Sequence, residues 1–485
     1  MDAEQIRRLE PQLADYLKRF EDCFARRDTR AHFPVYVRGQ LSELPRKSVE
    51  PIALEAGTAV RTLQEFLTQL SWDEDRMRNR LANIVGEEHS DEQSIGVIDE
   101  TGWAKKGDQT PGIQRQWCGS VGKQENSIVT VHLGYAVGDF HCLVDGDLFL
   151  PESWSQDRER CRRAGIPDDV VYRPKSDIAL ELYDRAVAQG VRFEWLTFDE
   201  WYGGKPQFLR ALAARGQKFV GEIPKSLMAW IKPPRVTTRP LHRQQRRKVP
   251  RIVAGGAKPQ TVERLAKSHP ALAAQRWQAW RIKDTEKGPL VWRVKHVLVY
   301  VKDERGLPEG PYHLLVCYHP ITGEIKYFFS NAPAETPVGK LLRVAFGRWH
   351  IERCFEDGKG EVGLDHWEGR RWIGLKRHLI LTSVSYLFLA KTCQTLREKK
   401  SGVDRLPGED GDGRDRRGAG IRPACAQATV RENCQSHRLL PTTQRLRSHQ
   451  PHEGDDPQIT PPRHQADRPV FCVSRKASFP ELRLA

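Results

Sequence analysis

The chain has 485 residues, with 78 Lys plus Arg against 63 Asp plus Glu, a formal balance of +15. That length allows two or three domains with a sizeable core, and the basic balance suits a polyanionic partner without excluding a merely soluble basic protein. The ten cysteines include no CxxC pair and no Cys/His ligand spacing, which argues against a zinc ribbon or disulfide scaffold and fits a reducing, cytoplasmic setting.

The opening stretch MDAEQIRRLEPQL lacks the apolar core of a signal peptide. Residues 1–90 read as an all-helical N-terminal domain, with Leu9, Leu13, Tyr16, Leu17, Phe20 and Phe24 at helical spacing. Within it, the block of about residues 48–70 breaks once, at Gly57. Ser48 is placed to cap its first helix and Pro51 falls in the first turn. The block fits a helix-turn-helix, with Arg61, Thr62, Gln64 and Glu65 near the start of the second helix, where base or phosphate contacts arise. An ordinary helical hairpin fits the same pattern.

Residues 91–230 alternate strand and helix signals. SIGVID, NSIVTVHLGYAV and HCLVDGDLFL read as consecutive strands, Ser176–Gly190 as a capped helix, FEWLTFD as a buried strand, KPQFLRALAARG as a helix and KFVGEI as a strand. This predicts an α/β fold built on a mixed sheet. Residues 231–335 begin with a basic, Pro-rich segment containing RPLHRQQRRKVPR, then return to strands, and read as a β-rich insertion. Residues 336–398 are helical. The apolar run HLILTSVSYLFLAKTC is short for a spanning helix and carries His378 and Lys391, so it reads as a buried helix with no membrane role. Residues 399–485 show no sustained period and read as a disordered basic tail or a shifted reading frame.

Three acidic residues stand out. Asp99 and Asp199 each end an apolar strand, and Glu352 lies in the helical stretch FGRWHIERCFEDGK. Carboxylates suit hard divalent cations, and two ions roughly 3.5–4 Å apart can serve the attacking and leaving oxygens of a phosphodiester. Arg348, Glu352 and Lys359 share one helical stripe, which could turn the carboxylate to metals and the cations to phosphates. On spacing alone, a solvated face with Arg348–Glu352 pairing is the favoured reading. Lys105 and Lys106 could grip a DNA backbone or cap a solvated hairpin. Trp201 and Tyr202 could stack on an unpaired base, with packing favoured.

The stretches GVIDETGWAKKG, RQWCGSVGKQENS, LTFDEWYGGKPQFLRAL, YFFSNAPAETPVGKL and RWHIERCFEDGKGEVGLDHWEGRRW resemble DDE transposases of bacterial insertion sequences. The resemblance is greatest to the insertion-sequence-701 family of the insertion-sequence-4-like group. It implies a ribonuclease-H-like core, split into residues 91–230 and 336–398. It also implies Asp99, Asp199 and Glu352 as catalytic and metal-binding carboxylates. In the related Y-x2-R-x3-E-x6-K signature, Arg348, Glu352 and Lys359 fit and Ala345 replaces the tyrosine. Glu356, one turn beyond Glu352, is the rival third carboxylate.

The function implied is metal-dependent cut-and-paste transposition, with a pair of Mg2+ or Mn2+ ions as cofactor. The partners implied are double-stranded DNA, as terminal inverted repeats and target, and a second subunit in a homodimeric synaptic complex. The competing readings are an inactive remnant or DNA-binding regulator, and a nuclease without strand transfer.

Overall fold

The computed structural model describes residues 3–239, 249–285 and 288–403. Most of the RPLHRQQRRKVPR cluster, and the tail from residue 404 onward, lie outside the described residues.

The first 88 residues form α1 (Ala3–Lys18), α2 (Arg27–Leu41), α3 (Val49–Glu55), α4 (Val60–Thr68) and α5 (Glu74–Glu88). The next segment runs as β1 (Ile95–Ala104), β2 (Gln114–Cys118), β3 (Lys123–Val137), β4 (Phe140–Leu148), α6 (Glu152–Gln156), α7 (Arg158–Ala164), α8 (Lys175–Ala188), β5 (Trp195–Phe198), α9 (Glu200–Gly203), α10 (Pro206–Ala214) and β6 (Val220–Glu222). Next come the two-residue strands β7 (Met228–Ala229), β8 (Val236–Thr237), β9 (Arg251–Ile252) and β10 (Gln260–Thr261), then α11 (Val262–Ser268) and α12 (Pro270–Ala273). The longer strands β11 (Gln278–Thr285), β12 (Gly288–Lys302), β13 (Pro308–Tyr318) and β14 (Ile325–Ser330) precede α13 (Val338–Phe346), α14 (Trp349–Val362) and α15 (Trp372–Val403).

The first sheet is mixed. Its order is β2-β3-β1-β5 with β4 also on β3; β1 runs antiparallel to β3 and parallel to β5. The second runs β11-β12-β13-β14-β6. Here the structure departs from the expected layout. KFVGEI was expected in the first sheet; β6 instead pairs with β14 in the second, while the segment still touches β5 through the parallel Leu196–Phe219 bridge, the Leu196 N–H to the Lys218 carbonyl and the Phe198–Phe219 ring contact. The β-rich residues are therefore anchored to the strand just before them. A second departure is at α8, which begins at Lys175 with Pro174 in the cap position that Ser176 was expected to fill.

The N-terminal helices do not stand as a body of their own; the described residues share one compact unit. Helices α2, α4 and α5 pack on α15, and α15 packs on β4. Tyr16 donates to the Val384 carbonyl at 2.9 Å, and Gln40 bonds both Thr382 and Ser385 at 2.8 Å. Helix α15 is longer than its apolar run suggests. Residues 372–397 are long and apolar enough to cross a membrane, yet most of that span is buried inside the protein. Its polar groups explain this, because they bond to neighbouring helices instead of lipid.

Candidate active site

The parallel register of β1 and β5 pairs Ile98 with Phe198, so Asp99 and Asp199 follow side by side on neighbouring strands. They are held differently. Asp99 does not end its strand, as expected, but sits mid-way, because β1 continues to Ala104 along β3. Its Oδ1 accepts from the Glu100 N–H at 2.8 Å. Asp199 follows β5 directly and caps α9, its Oδ1 accepting from Trp201 N at 3.0 Å and Tyr202 N at 3.3 Å. A short polar side chain at a strand-to-helix junction does this readily. Glu100, next along the pleat, turns to the other face and binds Lys175 at 2.7 Å.

Helix α14 brings the third acid. It can lie close to the sheet because Gly134 of β3 has no side chain. A Cβ there would stand 2.7 Å from Ile351 Cδ1. Arg348, at the N-cap of α14, joins the two elements: Nη1 donates to Asp99 Oδ2 at 2.8 Å and Nη2 to Glu352 Oε1 at 2.5 Å. Asp99 is nearly buried, whereas the Glu352 side chain is 57% exposed. Burial pushes the Asp99 carboxyl up to about 7; Arg348 pulls it down, and the charges of Asp199 and Glu352 push it further up. Burial works against the Arg348 charge, but Asp99 and Glu352, then Glu222 and Asp199, outweigh it and hold the guanidinium above its usual range. Asp99, Asp199, Glu352 and Arg348 thus share one electrostatic site. Glu356 does not join it; it pairs with Arg353 at 3.1 Å.

Two of the expected cations are placed differently. Lys105 is not a free phosphate contact. It donates to the carbonyls of Trp367 and, at 3.4 Å, Asp365, and burial brings its ammonium down to about 8. Its neighbour Lys106 is exposed. Lys359 shares the α14 stripe but is half-buried, 3.4 Å from the Gly102 carbonyl, and burial lowers its pKa. On α4, Arg61 and Gln64 are exposed and Thr62 half-buried; Arg61 pairs with Glu65 at 2.7 Å. Tyr202 is buried, as favoured, while Trp201 remains 39% exposed, with Lys205 4.8 Å and Lys175 5.4 Å from its ring centre. Ala345 is buried, and Phe346 packs on Trp292 and Phe328.

Lys283 was not singled out by the sequence. It lies in β11, 4.2 Å from the Trp349 ring centre and within the field of Glu352. No local motif marks it; the second sheet carries it there.

Among the described residues no three His, Cys, Asp or Glu side chains converge tightly enough to hold an ion. The donor set nevertheless suits a hard cation, and the Arg348 guanidinium already bridges Asp99 and Glu352 as a positive stand-in.

The chain is 30% identical over 208 residues to a probable transposase for insertion sequence element IS701 from Microchaete diplosiphon, covering 40% of this chain and 51% of that protein. It thus spans about half the length of that curated relative. A piggyBac transposase synaptic complex with hairpin DNA aligns over 76% of this chain and 66% of that chain, at 11% identity and a TM-score of 0.32, too loose a likeness to carry an argument. The family model described as DDE superfamily endonuclease matches residues 19–289, a span that includes Asp99 and Asp199 and ends before α14. The chain belongs to the DDE superfamily endonucleases.

Proposed function

We propose that this protein is a transposase that cuts and rejoins DNA at the ends of an insertion sequence by a cut-and-paste route. The observation that carries this reading is the meeting of Asp99, Asp199 and Glu352 around Arg348, from two neighbouring strands and a facing helix. The mixed first sheet serves as a ribonuclease-H-like core. Asp99, Asp199 and Glu352 would hold Mg2+ or Mn2+, most simply two ions. When bound, such ions supply positive charge to the attacking and leaving oxygens of a phosphodiester.

The chain's own residues hold and orient. The β1–β5 register fixes the spacing of the two aspartates, and backbone N–H groups fix the rotamers through Asp99 Oδ1 and Asp199 Oδ1. Arg348 offers a planar fork suited to a phosphate, with Lys359 and Lys106 as further phosphate contacts. Lys105 serves by holding the 365–367 turn instead. Arg61, Thr62 and Gln64 on α4 would contact the terminal inverted repeats. Two ends must be held together, so a homodimer on double-stranded DNA is the expected assembly.

The experiment is incubation of the purified chain with end-labelled DNA carrying the element's terminus, with Mg2+ and a target plasmid. Nicked ends and joined product are expected. Cleavage without joining would leave only a nuclease, and binding without cleavage an inactive relative.

A further inference from the structure

Both oxygens of Asp99 are occupied. Oδ1 takes the Glu100 N–H at 2.8 Å and Oδ2 takes Arg348 Nη1 at 2.8 Å. Asp199 differs: its Oδ1 takes both N–H bonds of α9, and among the described residues Oδ2 has no hydrogen-bond partner. Glu352 gives Oε1 to Arg348 Nη2. An ion joining Asp99 to Glu352 would therefore enter the space where one side chain now holds an oxygen of each. The Glu100 donor belongs to a paired strand and cannot swing away. Arg348 can, because it stands at the first turn of α14 and its side chain is 23% exposed.

We infer that Arg348 couples nucleic-acid binding to metal loading: a DNA phosphate draws its guanidinium off Asp99 and Glu352, and so frees the carboxylates for the ion. This rests on the metal-dependent reading above. Without DNA, the guanidinium neutralises a cluster that would otherwise repel itself, since Asp99, Asp199, Glu222 and Glu352 all act on it. It also opposes an incoming cation by like charge and by competing for the same oxygens. A phosphate matches the guanidinium fork as well as a carboxylate does. Linkage makes the effect reciprocal: whatever factor DNA adds to metal affinity, metal adds to DNA affinity.

The test is Mn2+ binding to the full chain, measured by titration calorimetry with and without a short random-sequence duplex at low salt. In the wild type, DNA should tighten Mn2+ binding by about tenfold. R348Q should bind Mn2+ about tenfold more tightly than wild type without DNA, and gain little on adding it. R348K, which keeps the charge but loses the fork, should fall between the two and guards against misfolding of R348Q. Equal DNA-free affinities in wild type and R348Q, or an undiminished DNA effect in R348Q, would overturn the inference. D99N separates this from the reading beneath it: Mn2+ binding unchanged in D99N removes the metal site itself, whereas its loss leaves the Arg348 coupling as the only point at issue.

Discussion

Asp99 and Arg348 lie 249 positions apart in the chain and meet at 2.8 Å. The contact ties the strand that carries one acid to the helix that carries another, and it makes the choice of Glu352 over Glu356 testable. D99N, D199N and E352Q should each lower strand cleavage on the order of 10³-fold or more while leaving end binding intact. E356Q should cleave within a few-fold of wild type, since Glu356 pairs with Arg353 away from the cluster. A gel assay of labelled ends, with a mobility shift beside it, reads both outcomes. Equal loss in E352Q and E356Q would leave the third carboxylate unassigned.

Gly203 gives a second check, through position alone. It closes α9, the single turn that Asp199 caps. A Cβ at Gly203 would stand 1.9 Å from the Glu222 carbonyl oxygen in β6, a backbone atom that cannot rotate aside. G203A must therefore shift α9 or β6, and Asp199 moves with α9. A displacement near 1 Å at a reacting centre costs about 10²-fold in rate. Cleavage should fall by about that much, with end binding retained. Unchanged cleavage would mean that the turn relaxes without moving Asp199.

Acid should unfold the protein through its buried histidines. Burial lowers His378, His350 and His296 to about 4 and His132 to about 3, from an ordinary 6.5. His378 is held neutral on both sides: Nε2 donates to the Leu364 carbonyl at 3.2 Å and Nδ1 accepts from Tyr36 at 2.9 Å. A depressed folded pKa means that the unfolded chain binds more protons. Stability is thus full above about 6.5 and falls as pH drops towards about 4. For His378 alone the loss on completing that passage is about 3 kcal/mol. Urea unfolding at several pH values between about 7 and 4 should show the decline. H378Q, which keeps one donor and one acceptor, should flatten it.

Much of the site was legible because strands and helices announce themselves locally. The apolar runs before Asp99 and Asp199 mark β1 and β5, and the Arg348–Glu352 spacing marks one face of α14. What the pattern could not supply was register and partner. Nothing in GVIDETGWAKKG says that β1 runs past Asp99; its pairing with β3 decides that. Two adjacent lysines look alike in sequence, yet the 365–367 turn holds Lys105 half-buried and leaves Lys106 exposed. Lys283 and β6 depend on how the second sheet folds back on α14 and β5, a long-range outcome that composition does not encode.

The same long-range logic makes Arg377 a residue on which the N-terminal helices depend. It projects from α15, its side chain 7% exposed, into the end of α4. There it donates to the Leu70 carbonyl at 2.8 Å and reaches those of Phe66 and Leu67 at 3.4 Å. Its guanidinium lies 4.6 Å from the Trp72 ring centre and pairs with Glu74 at 3.2 Å. A cation at a helix C-terminus answers the unpaired carbonyls and the negative end of the helix dipole. R377M fills the space but leaves those carbonyls and Glu74 without their donor. The expected cost is about 3 kcal/mol, read as a lower urea midpoint, because removing one partner strands the other in a dry setting. Amide exchange should quicken first in α4, whose exposed Arg61 and Gln64 are the candidate DNA contacts. R377K should recover only part of the loss, since an ammonium cannot reach several carbonyls and Glu74 at once. Wild-type stability in R377M would show that α4 is held by its apolar face of Leu63, Phe66 and Leu67 alone.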